Sequence, residues 1–151
     1  MNGISDNQLM AERLESLKAG FVGGFSVCFA FVITCLVNTL VLAKYFPRLA
    51  SLQVHFNWHW WVSGGIAIVC GLLFGVTYRY IIRSDKNPQL QAGGVLAFGL
   101  VRGLTQVEAG WNVDILPCVL LAGESVLWFA IAAIAINTAI QLGWLKSFPS
   151  I

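Results

Sequence analysis

Between Gly20 and Ala43 the chain reads GFVGGFSVCFAFVITCLVNTLVLA, without one charged residue. About 20 apolar residues suffice for a helix to cross the hydrocarbon of a bilayer. Inside that hydrocarbon only helices and closed barrels satisfy every backbone polar group. The run is longer than the apolar part of a signal peptide and offers no small-x-small cleavage site. The residues before it include Asp6, Glu12 and Glu15, which a transit peptide avoids. We therefore expect the segment to remain in the mature protein as a membrane span.

Composition points the same way. The chain is 58% hydrophobic and 11% charged, whereas soluble domains are about a quarter charged and under half apolar. Lipid is the natural solvent for such a chain. A formal charge of +2 with no basic run gives nucleic acid nothing to bind.

Three more segments have the required length. They run from about Trp60 to Ile82, from about Gln89 to Ala109, and from about Leu116 to Leu142. Trp58, Trp60 and Trp61 mark one membrane interface, and Tyr78, Tyr80 and Trp144 the other. Arg79 and Arg83 are expected to snorkel to water along their stems. Asn87-Pro88 starts the third helix as cap and first-turn proline. The predicted fold is an all-α integral membrane protein, a four-helix transmembrane bundle with spans at 20–43, 60–82, 89–109 and 116–142.

An amphipathic arm, residues 1–19, precedes the bundle. Ser5 and Gln8 form a capping-box pattern, and Leu9, Met10, Leu14 and Leu17 share one helical face. This predicts an interfacial helix lying on the membrane surface. Arg13, Lys18, Arg79, Arg83, Lys86 and Lys146 fall on one side of the predicted spans, against Lys44 and Arg48 on the other. The positive-inside rule then places both termini on the cytoplasmic or stromal side.

Arg102 lies within the third span, in LAFGLVRGLTQVEAGW. A charge at that depth costs a few kcal/mol and normally faces a partner inside the bundle. Glu124 is the candidate. The two stand equally far from Val113, at the turn between the third and fourth segments, so an antiparallel hairpin brings them to similar depth. Thr105 and Gln106 extend the polar face around Arg102, and Thr138 lies further along the stripe of Glu124. The pair reads as an intramembrane ion pair fixing helix register. A polar pathway for a proton or cation, and a contact to a cofactor or partner helix, are the alternatives. Three small-xxx-small pairs, Gly20/Gly24, Gly71/Gly75 and Gly99/Gly103, are candidate helix-packing faces.

Other chemistry is thin. Cys28, Cys35, Cys70 and Cys118 all sit in apolar segments without a CxxC spacing and read as small apolar fillers. His55 and His59 are four apart and able to share a helical face, but no third metal ligand stands near them. No catalytic triad, phosphate loop or metalloprotease motif occurs. We expect neither catalytic residues nor a metal, and the sequence indicates no cofactor.

The stretch FGVTYRYIIRSDKNPQLQAGGVLAFGLVRGLTQVE, residues 74–108, resembles a small family of multi-span membrane proteins of cyanobacteria and chloroplasts. The likeness is strongest in the YRYIIRSDKNPQL loop and its flanking spans. It implies a photosynthetic membrane, the thylakoid first and the plasma membrane as the alternative, and supplies no catalytic residues to transfer. The functional expectation is a non-catalytic accessory or assembly subunit of a larger membrane complex, in contact with lipid and with other subunits or further copies of itself. A small oligomeric carrier or channel using Arg102 and Glu124 is the alternative.

Overall fold

The computed structural model describes residues 6–82, 87–109 and 114–147. Among the described residues every regular element is a helix. Helix α1 spans Asp6–Val37 and continues through a π-helical turn, Asn38–Leu42, into the short α2, Ala43–Tyr45. A 3₁₀ segment, Pro47–Leu52, leads to α3, Trp58–Ile81. Then come α4, Pro88–Ala109, and α5, Ile115–Gln141.

Local chemistry sets the ends. The Asn57 side chain accepts from the Trp60 N–H at 3.2 Å and caps α3. Asn87 Oδ1 accepts from the Gln89 N–H at 3.0 Å beside the first-turn Pro88 of α4. At the far end of α5, Gly143 takes φ of 76°. Its N–H reaches Ile140 O at 3.1 Å, and that of Trp144 reaches Ala139 O at 2.9 Å. This Schellman closure needs the left-handed residue that glycine supplies.

Three helical stretches are long and apolar enough to cross a membrane: Gln8–Tyr45, Trp58–Ile81 and Ile115–Gln141. The fourth expected span forms as helix α4 but falls outside that set. Its glutamines, Arg102 and Glu108 dilute the apolar run. Outward positions on the apolar helices carry large exposed side chains, Phe25 at 82% among them. A surface of this kind is at home in hydrocarbon rather than water.

The helices meet through small residues. A Cβ built on Gly75 would stand only 2.2 Å from Ala19 O, and one on Gly23 2.5 Å from Gly71 O. The backbones of α1 and α3 therefore approach as glycine alone allows. On the other side, Gly99 and Gly103 of α4 lie against Val126 and Ala122 of α5. Helix α1 also packs on α5, and α4 touches α3. Between them runs an aromatic column in which Phe74 neighbours Tyr78, Phe98 and Phe129 at centroid distances of 5.0–5.4 Å.

The N-terminal arm does not lie apart on the surface. It forms the opening turns of α1, which runs unbroken from Asp6 to Val37. Leu9, Met10, Leu14 and Leu17 are exposed, whereas Ser16 and Ala19 are buried. The stripe Glu12–Ser16–Gly20–Gly24, at four-residue spacing, faces α3 and fixes the direction of the helix. Contact with α3 thus overrides the apolar face that suggested a surface helix. The capping residue Ser5, the cations Arg83 and Lys86, and the turn at residues 112 and 113 lie outside the described residues.

Candidate functional site

Two polar clusters stand at different levels between the helices. The lower one joins the N-terminal arm, the end of α3 and the C-terminal tail. Arg79 at its centre is wholly buried. Its Nη1 donates to Ser16 Oγ at 2.7 Å and to Glu12 O at 3.1 Å, and its Nε donates to Lys146 O at 2.9 Å. Its Nη2 pairs with the Glu12 carboxylate. Glu15 accepts from Lys18 at 2.8 Å and from the Lys146 N–H at 3.0 Å. These two donors, Lys18 first, hold the Glu15 carboxyl below its ordinary value of 4.5.

Arg79 therefore does not snorkel to water; its planar fork is spent inside the protein, on Ser16, Glu12 and the Lys146 carbonyl among others. The sequence does carry a signal for this. Arg79 continues the Gly71–Gly75 spacing by one more step of four, and on α1 Glu12 and Ser16 precede Gly20 and Gly24 in the same way. Two glycine stripes that pack together bring their polar extensions together. Tyr78, expected at the interface, is buried beside Arg79, and its hydroxyl accepts from Asn137 Nδ2 at 3.3 Å. Tyr80 and Trp144 are exposed at this end.

The upper cluster lies at the level of Arg102. Gly103 sits on Ala122 and Gly99 on Val126, so Arg102 and Glu124 share a depth. They do not form an ion pair: the described ion pairs are Lys18–Glu15 and Arg79–Glu12. Helix rotation explains the correction. Glu124 follows Ala122 by two residues, about 200° around the axis, and so turns from α4 toward α1. There its carboxylate accepts from Asn38 Nδ2 at 3.1 Å. Asn38 is presented by the π-helical turn, whose extra residue re-aims side chains within a helix.

Arg102 turns toward α3. Its guanidinium carbon lies 5.0 Å from the centre of the Trp128 ring, a cation–π distance. Trp128 Nε1 in turn donates to Thr34 Oγ1 at 3.2 Å. Arg102 is 8% exposed, and its Nε is buried without a hydrogen-bond partner. Cys70 is its polar neighbour across the gap to α3. A cavity of about 440 Å³ opens there, lined by Arg102, Cys70 and Thr105 with Phe98 and Phe129 among its apolar walls.

The remaining expected residues separate. Thr105 donates to the Arg102 carbonyl at 2.7 Å. Gln106 accepts from Ser125, 3.2 Å away, bridging α4 to α5. Thr138 is exposed and bonds to Ile134 O in its own helix, so it joins neither cluster. Trp58 and Trp61 are exposed, while Trp60 is half-buried, 5.7 Å from the Phe31 ring. His55 precedes α3 and His59 lies in its first turn, so they share no helical face; both are exposed. Among the described residues no group of three metal-ligating side chains occurs. No family model, curated protein or solved structure matches the chain.

Proposed function

We propose that the protein is a small, non-catalytic polytopic membrane protein acting as an accessory or assembly subunit of a larger membrane complex. In this reading α4 is the fourth span of a four-helix transmembrane bundle, packed chiefly on α5 and turning its exposed leucines to lipid. The excess of cations beside the termini favours a cytoplasmic or stromal location for both. The resemblance of residues 74–108 favours a photosynthetic membrane, the thylakoid in particular.

One observation carries the proposal: apart from Arg102, whose Nε has no acceptor, the charged and amide side chains inside the bundle join helix to helix. Asn38 meets Glu124, Trp128 meets Thr34, Ser125 meets Gln106, Asn137 meets Tyr78, and Arg79 gathers three segments. Such contacts hold membrane helices in register. A carrier instead needs polar groups free to exchange a passenger. Gly65 on α3 and Gly123 on α5 are exposed with open space before them. They are places where the backbone of another helix has room to approach.

Proton flux into liposomes with a trapped pH dye separates this reading from the carrier reading. The scaffold predicts the leak of protein-free vesicles, unchanged by Glu124→Gln. Saturable flux abolished by Glu124→Gln would replace it with the carrier.

A further inference from the structure

Arg102 presents an unusual combination. It carries a full charge, is nine-tenths buried, and makes no ion pair among the described residues. Its guanidinium leans on the Trp128 ring, its Nε lacks any acceptor, and it lines a cavity whose walls are otherwise almost wholly apolar. A cation in low dielectric without a counter-charge is costly, and the cost falls when an anion is delivered to it. The cavity volume lies within the range of small-molecule sites.

Position narrows the ligand class. Arg102 to Ala109 at the end of α4 is about 10 Å along the helix. The cavity opens between α3 and α4, on the side where lipid lies if α4 is a span, and the inference rests on that part of the proposed architecture. A soluble anion would have to leave water to arrive there, whereas a lipid comes through the bilayer. Phe98 and Phe129 line the cavity beside Arg102 and offer apolar surface for a chain.

We propose that this cavity binds a single-chain lipid whose compact anionic headgroup pairs with Arg102 while its tail lies along Phe98 and Phe129. A fatty carboxylate and an alkyl phosphate share this chemistry. The guanidinium fork suits both.

The test uses the full chain purified in neutral detergent, with fluorescent cis-parinaric acid as probe and its methyl ester as the uncharged counterpart. The acid is expected to bind saturably and at least about tenfold more tightly than the ester. Arg102→Gln should bring the two affinities together, and Arg102→Lys should restore part of the preference. Ala97→Phe, which fills the cavity without touching the charge, should weaken both. Displacement of the probe by palmitate or by hexadecyl phosphate identifies the source, the better competitor naming the headgroup. Equal binding of acid and ester by the unaltered protein, or no saturable binding, would overturn the proposal without reference to any variant. A preference that survives Arg102→Gln would also overturn it. Proton flux and partner association are separate readouts, so failure here leaves the accessory reading standing on its own test.

Discussion

Gly103 on α4 approaches Ala122 on α5 so closely that a Cβ on the glycine would lie 2.9 Å from the Ala122 Cα. This contact sets the two helices in register and brings Arg102 and Glu124 to one level. It also turns them apart, Arg102 toward the cavity beside α3 and Glu124 toward Asn38 in the π-helical turn after α1.

Exchanging the two charges, as Arg102→Glu with Glu124→Arg, should therefore rescue nothing that either single change loses. A double-mutant cycle on Arg102 and Glu124 should give a coupling below about 0.5 kcal/mol. The cycle on Asn38→Ala and Glu124→Ala should give about 0.6–1.5 kcal/mol, the range of interhelical hydrogen bonds in membranes. Unfolding in mixed micelles, followed by tryptophan fluorescence, measures both.

Close approach predicts which glycines resist substitution. Gly75→Ala forces a methyl group against Ala19 O and should destabilise by about 1–3 kcal/mol. That loss outweighs the helix propensity gained, about 1 kcal/mol. Gly65→Ala meets open space and should leave stability unchanged or raise it by up to about 1 kcal/mol. Thermal unfolding of the two variants in one detergent checks the contrast.

Arg79 fastens three segments at once. Arg79→Ala leaves Ser16, the Lys146 carbonyl and Glu12 without their donor. Because Glu12 keeps some access to water, the expected loss is about 3 kcal/mol, at the low end for a broken buried pair. Arg79→Lys should recover only part, since an ammonium cannot span acceptors on both the N-terminal arm and the tail. Limited proteolysis should show the C-terminal tail released first.

Glu15 gives the lower cluster a pH dependence. A carboxyl held below its unfolded value stabilises the fold above that value, and the stability is lost as pH falls through the folded value. Docking of the tail should hold at neutral pH and weaken below about pH 4.5, the ordinary glutamate value. Glu15→Gln should flatten that acid limb. Hydrogen exchange of the backbone around Lys146, followed from pH 7 to pH 3, measures it.

Apolar run length and cap chemistry made the helices legible in the sequence, because both act locally. Asn87-Pro88 marks the start of α4 wherever the chain is later packed; Asn57 and Gly143 act in the same local way, although the sequence reading passed over them. Rotation about each helix axis is a tertiary property, and there the reading of Arg102 with Glu124 failed: equal spacing from a turn fixes depth and says nothing of azimuth. The N-terminal arm misled for a related reason. Its apolar face was visible, but the opposite stripe of Glu12, Ser16 and Gly20 decided its course, and that stripe has meaning only beside Gly71, Gly75 and Arg79. The π-helical turn at Asn38 left no signal we could read, and with it the partner of Glu124 was missed.

A subunit that serves a larger assembly should be extracted together with it. The most direct test is the native mass of the tagged protein after mild detergent extraction from its own membranes. The expected result is comigration with a complex far heavier than this chain in its micelle, containing other membrane subunits. A compact species made of this chain alone, whether single or a small oligomer, would contradict it.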